Sequence, residues 1–239
     1  MTTSSERGFT IVETVLFLAI TGALFAALMI GVNVGIVQQR YLEGVRSYRS
    51  LLQDQYSAAM NVVNEQDGST MPCPSGYSPA RGMSDCVILG RAIRIINNGA
   101  EVEMSSIIGT DTSINTSNTP DVEAVRNYNP KIASFDRQTI EIDWGLTLKT
   151  TTSAASSQGS QAIILIMRSP VSGLPMIFTS ERMPSPLRDI ITPANRTLTI
   201  DNCLAGDSGS LPKQLVRIRP QVASADAFSI VTPNPGICT

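Results

Sequence analysis

The chain predicts an α+β protein in which one long N-terminal helix is packed on an antiparallel β domain, and three observations carry that expectation. No proline occurs before Pro72, so nothing interrupts a helix over the first third of the sequence. The stretch from Thr14 to Val37 is uncharged and mostly apolar, and a two-faced pattern follows it. Beyond Asn64 the composition turns to Gly, Pro, Ser, Thr and β-branched residues in short runs, with no second long helical period.

The apolar half of the helix, residues 9–37, exceeds the roughly 20 residues needed to cross a bilayer core. A cleaved secretory signal has an apolar region of only about 7–15 residues followed by a small-x-small site. One carboxylate, Glu13, stands near the start of the run. A carboxylate at that depth costs several kcal/mol unless it is protonated, snorkels or finds a cation. The span itself offers none, but a cut after Gly8 would leave a free α-amino group on Phe9, about one helical turn from Glu13. Gly22, Gly31 and Gly35 weaken helix propensity while letting a neighbouring helix approach, and Gly31-x-x-x-Gly35 reads either as a helix-packing face or as the ordinary abundance of glycine in membrane helices. The flanking charges point the other way in one respect. Arg40, Arg46 and Arg49 follow the span, whereas only Arg7, beside Glu6, precedes it, and the positive-inside rule alone would leave the large domain in the cytoplasm.

Residues 38–63 continue the helix with a different face. Tyr41, Val45, Tyr48, Leu52, Tyr56, Ala59 and Val63 recur every three or four positions, with Arg40, Glu43, Arg46, Arg49, Gln53 and Asp54 largely off that line. This is an amphipathic helix with one side on a core.

Residues 64–239 form the β-rich head. Strands are expected at Cys86–Leu89, Ala92–Ile96, Val102–Ile108, Thr139–Leu148, Ala162–Met167, Met176–Thr179, Thr197–Ile200, Leu215–Ile218 and Phe228–Val231. Ala162–Met167 is continuously apolar and belongs inside its sheet. Thr110–Pro120 and Thr150–Ser160, rich in Ser, Thr and Asn, read as exposed loops or linkers. Arg217 and Arg219 share one face of their strand, with Arg196 and Lys213 as candidate neighbours, a pattern that reads as a solvated face ahead of a phosphate contact.

With 18 basic and 20 acidic side chains, the chain has no global basic field for nucleic acid. Cys73, Cys86, Cys203 and Cys238 allow three pairings. Nearest-neighbour pairing would staple the Pro- and Gly-rich segments at Cys73–Cys86 and Cys203–Cys238. No tight Cys-x-x-Cys pair suggests zinc, so neither metal nor cofactor is expected. Gly206-Asp207-Ser208-Gly209 has the look of a serine-protease nucleophile segment, but a chain with no histidine lacks that base, and it reads as a polar turn. No Walker loop, dinucleotide fingerprint or calcium-loop spacing is present, so the chain is not read as an enzyme.

The segment Arg7-Gly8-Phe9-Thr10-Ile11-Val12-Glu13, with the apolar run after it, resembles the class III signal of type IV pilins and type II secretion pseudopilins. The resemblance implies that residues 1–8 are a leader, that prepilin peptidase cuts between Gly8 and Phe9, and that Phe9 becomes the N-methylated terminus. Glu13 takes the place of the assembly carboxylate. A leader held in the cytoplasm puts the head outside it, overruling the charge rule, and cysteines in an exported head are expected to oxidise. More loosely, Val87-Ile88-Leu89-Gly90-Arg91, Asn195-Arg196-Thr197-Leu198-Thr199-Ile200 and Val216-Arg217-Ile218-Arg219 before Phe228-Ser229-Ile230-Val231 resemble the β domain of H-type minor pseudopilins.

The family implies two kinds of role. One is a structural subunit of a filament, drawn from the cytoplasmic membrane by an assembly platform and an ATPase and packed against other subunits. The other is a filament-tip module that captures DNA or a host surface through the region bounded by Cys203 and Cys238, which resembles the cysteine-bounded C-terminal region of type IV pilins.

Overall fold

The computed structural model describes residues 10–61, 86–110, 119–134, 136–152, 155–159, 162–182, 186–206, 214–233 and 238. The chain divides into two compact units, Met1–Leu42 and Glu43–Thr239. Helix α1 (Ile11–Met60) supplies the described part of the first unit and the opening element of the second. Its start and end fall close to the expected 9 and 63, of which Phe9 and Val63 lie outside the described residues.

In the first unit the helix is apolar all round. Its most apolar window has a mean hydropathy of 2.5 and is 0% buried. Large side chains from Ile11 to Ile36 stand exposed on every face, which suits lipid or other helices and not water. This is one candidate membrane span, consistent with a single-pass anchor.

In the second unit the helix packs on an antiparallel β domain, as the α+β reading requires. The domain holds two sheets. Six strands make the first: β1 (Cys86–Ile96), β2 (Glu101–Thr110), β3 (Lys131–Ile132), β4 (Gln138–Glu141), β7 (Ile163–Arg168) and β8 (Pro175–Ser180). Their order is β3-β2-β1-β7-β8, with β4 also pairing β2. The second has β5 (Thr147–Thr152), β6 (Ala155–Gly159), β9 (Ile200–Ala205), β10 (Gln214–Ile218) and β11 (Phe228–Val231), in the order β11-β10-β9-β5-β6. Among the described residues two short α-helices, α2 (Asp121–Asn127) and α3 (Pro193–Thr197), accompany the sheets.

Alternation along the strands sorts the core. Leu89 and Ala92 of β1, Ile107 of β2, Leu165 and Met167 of β7 and Phe178 of β8 turn to one face of the six-stranded sheet. Val125 of α2 and Leu187, Ile190 and Ile191 after β8 cover them. Each fully buried large apolar side chain contributes about 1.5–3 kcal/mol, so this cluster is a principal stabiliser of the head. The apolar run expected to lie inside its sheet does so: β7 has β1 on one side and β8 on the other.

Two glycines set the close approaches. At Gly90 the β1–β2 register shifts, and a Cβ there would stand 2.0 Å from the Ile166 carbonyl oxygen. A bulge that only glycine can fill therefore joins the two expected strands Cys86–Leu89 and Ala92–Ile96 into one. Gly99, at φ +89 between β1 and β2, would place a Cβ 2.0 Å from the Leu148 carbonyl oxygen. The turn of the first sheet thus rests on the backbone of β5 in the second.

Three expectations need correction. Thr150–Ser160 is not a loop, because β5 runs through Thr152 and β6 occupies Ala155–Gly159. Buried Thr150 and Thr151 hold strand positions that an apolar-period rule cannot see. Thr139–Leu148 is not one strand: a 3-10 turn at Asp143–Gly145 sends β4 to one sheet and β5 to the other, with Trp144 at φ +62. Thr197–Ile200 is not a strand start, since α3 fills Pro193–Thr197 and β9 begins at Ile200. Thr192 caps that helix by accepting from the Asn195 N–H, and Pro193 follows the cap. Of Thr110–Pro120, Thr110 ends β2 and 111–118 lie outside the described residues.

Candidate functional site

The first candidate is the start of the apolar span. Glu13 sits in the first turn of α1, exposed, with the exposed side chains of Ile11, Val12, Val15, Leu16 and Phe17 around it. Its backbone N–H donates to Thr10 Oγ1 at 3.3 Å, so Thr10 caps the helix with Glu13 three positions on. That is the Thr-x-x-Glu spacing of a capping box, a signal readable in the sequence, and it gives the carboxylate a place beside the positive end of the helix dipole. Thr14 and Thr21 turn their hydroxyls back to Ile11 O (2.9 Å) and Phe17 O (2.8 Å), hiding polar groups within the apolar surface. Gly8 and Phe9, the expected cleavage pair, lie outside the described residues.

Gly22, Gly31 and Gly35 are bare: a Cβ at any of them would meet nothing within 4 Å. Gly31 and Gly35 lie one turn apart on one face, where a second helix could come close.

The second candidate is the C-terminal region. Cys203 and Cys238 form a disulfide with Cα atoms 5.7 Å apart. Cys203 is buried in β9, the middle strand of its sheet, where it lies opposite Lys149 of β5 and Leu215 of β10. The bridge therefore fastens the end of the chain to the centre of the five-stranded sheet. Cys86 begins β1, while Cys73 and the segment 207–209 lie outside the described residues.

Around this strand runs a polar network that sequence reasoning missed. Asn202, fully buried, donates from Nδ2 to Tyr48 Oη at 2.6 Å and accepts from Thr150 Oγ1 at 2.9 Å. It ties α1 to β9 and β5. Burial pushes the Tyr48 phenol well above its ordinary range, only partly offset by the Asn202 hydrogen bond, so it stays neutral. The next turns of α1 donate to carbonyls at and just before the start of β11: Arg49 Nε to Phe228 O (3.0 Å), Gln53 Nε2 to Ala225 O (3.3 Å) and Tyr56 Oη to Ala223 O (2.9 Å). On the first sheet, Arg91 reaches Gln55 Oε1 at 3.0 Å and Ser106 Oγ at 2.8 Å, and it pairs with Asp136.

Arg217 is not a solvated cation. It makes a two-point pair with Asp201 directly across the β9–β10 ladder, both contacts 2.8 Å, and Asp201 is buried. This pairing, led by the Asp201 hydrogen bonds, raises the guanidinium pKa further. Arg219 donates to the Asp226 carbonyl at 3.0 Å.

At the far end of the first sheet, Asp121 opens α2 and accepts from Ser169 Oγ. Ser169 in turn accepts from the Val171 and Ser172 N–H groups, both at 3.2 Å. Hydrogen bonds from Ser169 and Ser172 hold the Asp121 carboxyl below its ordinary value. Among the described residues no three His, Cys, Asp or Glu side chains gather as metal ligands. No family model, curated protein or solved structure matches the chain.

Proposed function

We propose that the chain is a structural subunit, a minor pilin or pseudopilin, of a type IV pilus-like filament. The observation that carries the reading is an exposed, all-round apolar helix with a single carboxylate, Glu13, in its first turn. A soluble protein would bury such a surface, and a plain anchor has no use for the acid. Supporting it are the Arg7-Gly8-Phe9 junction just before the helix and an oxidised pair, Cys203–Cys238, in a head suited to an exported compartment.

On this reading prepilin peptidase removes residues 1–8 and Phe9 is methylated. The subunit waits in the cytoplasmic membrane with its head outside the cytoplasm, and a platform and ATPase extract it into the filament. Glu13 then meets the Phe9 amine of a neighbouring subunit in a low-dielectric setting, where the pair sets axial register. Substituting Glu13→Leu makes the span cheaper to hold in lipid but removes that attraction.

The test is mass spectrometry of the N-terminal peptide with and without a prepilin peptidase, followed by filament purification. Methyl-Phe9 is expected at the mature terminus. Glu13→Leu should be cleaved and stable yet enter filaments about tenfold less, as loss of a desolvated charge pair predicts. An intact Met1 leader in assembled material, or normal incorporation of Glu13→Leu, would sink the proposal.

A further inference from the structure

Outside α1, the exposed large apolar side chains among the described residues are Ile140, Trp144, Val171 and Leu174. They fall into two pairs. Ile140 (43% exposed) and Trp144 (52%) flank the end of β4, and Val171 (44%) and Leu174 (55%) occupy the turn between β7 and β8. The strand registers put these pairs at opposite ends of the six-stranded sheet. Glu141 of β4 lies opposite Glu101, which faces Ile96 at the last residue of β1. The β7–β8 turn instead lies beyond Met167, which faces Gly90 towards the other end of β1.

The two ends differ in chemistry. Beside the first pair is a groove of about 220 Å³ between the second half of α1 and the segment from Ile140 to Asp143. Its lining includes three carboxylates, Asp54, Glu141 and Asp143, and no cation. Drug-sized ligands need roughly 300–1,000 Å³, so a groove of this size suits a protruding side chain or turn better than a metabolite. Trp144, next in sequence to Asp143 of that lining, is held at φ +62, a left-handed conformation that an aromatic residue adopts at a cost and that concentrates at functional positions. At the other end, exposed Arg168 is steadied by its Nε bond to Gly173 O (3.2 Å) beside Leu174. Asp121, which opens α2 nearby, is engaged by the Ser169 hydroxyl.

The geometry points to head-to-tail docking between copies of this chain, with the Arg168–Leu174 turn of one copy seated in the Asp54–Glu141–Asp143 groove of the next. Arg168 meets the carboxylates, and Val171 and Leu174 cover Ile140 and Trp144. Because the two patches differ and lie at opposite ends of one sheet, the contact is heterologous and propagates, as a two-fold dimer would not. The proposal deepens the filament reading and takes its setting from it.

The full-length chain, purified in detergent, carries a benzophenone amino acid in place of Leu174. Irradiation should yield a covalent dimer that grows with protein concentration, its adduct mapping to residues 138–147 of the second copy. Arg168→Glu should cut the yield about tenfold, and adding Glu141→Arg with Asp143→Arg should restore it. An adduct in another segment, an adduct with a different protein when the experiment is done in cells, or an unchanged yield in Arg168→Glu would overturn the docking surface. The filament reading fails separately. Filaments that assemble normally with Arg168→Glu remove this contact and leave that reading standing, whereas a chain that keeps its leader in cells with an active prepilin peptidase, yet still gives the mapped dimer in detergent, removes the filament reading and leaves the contact.

Discussion

Breaking the Cys203–Cys238 bridge has a consequence that can be worked from its place in the chain. The cysteines are 35 residues apart, and the bridge removes the entropy of closing that loop from the unfolded ensemble. At 25 °C the chain-entropy relation gives about 4 kcal/mol for a loop of this length. A domain of this size shifts its midpoint by about 2–4 °C per kcal/mol, so Cys203→Ala with Cys238→Ala should melt roughly 8–16 °C below the parent. Thermal unfolding of the full chain in detergent, followed at the far-UV sheet signal, measures it. The single Cys203→Ala variant should match the double, because either removes the whole constraint. Reducing the parent should reproduce most of the drop and shows how much comes from the lost buried sulfur. The β11 amides should exchange faster, while those of β9, laddered on both sides, change less. Parent protein whose peptide map without reductant shows the bridge, yet whose midpoint moves by under about 3 °C on losing it, refutes the reasoning.

Two further outcomes follow from local geometry. Gly99→Ala should cost about 3 kcal/mol or more, because its Cβ would collide with the Leu148 carbonyl at a φ of +89, and thermal or denaturant unfolding reads the loss directly. Asp121 has its carboxyl pKa lowered in the fold, so its contribution is present above its ordinary value of 3.8 and is lost as pH falls through the lower folded value. Asp121→Asn should therefore be about 1 kcal/mol less stable at neutral pH, a partly exposed charge-assisted bond, and the gap should close as the pH drops below that ordinary value. A gap that persists unchanged at pH 3 would contradict the assignment.

What could be read in the sequence was whatever burial writes as periodicity. Val45, Tyr48, Leu52 and Ala59 are buried as their spacing requires, and Tyr56 on the same stripe is half-buried. The continuous run of β7 betrayed a strand covered on both faces. The Thr-rich β5 stayed hidden because its inward residues are satisfied by hydrogen bonds: Thr150 reads as a loop residue until Asn202 is placed beside it. The break between β4 and β5 depends on a left-handed tryptophan, and only the following Gly145 hinted at a turn. Arg217 looked solvated because its partner, Asp201, lies on the neighbouring strand, 16 residues away in sequence. At the span, the lone carboxylate was legible from composition, while the Thr10 cap was present as a spacing and went unread.

The three donors of α1 that reach the carbonyls of Phe228, Ala225 and Ala223 also define how the head would carry mechanical load. A pull along the helix between Arg49 and Tyr56 is shared among bonds spaced one turn apart, which must yield together and not one after another. The force passes into the backbone leading to β11 and across the β10 ladder to β9. There the covalent link from Cys203 to Cys238 closes the path and limits how far the C-terminal segment can be drawn out. The second half of α1, β11 and the disulfide thus form one tension member, whose extension is set by a covalent bond after the hydrogen bonds have stretched.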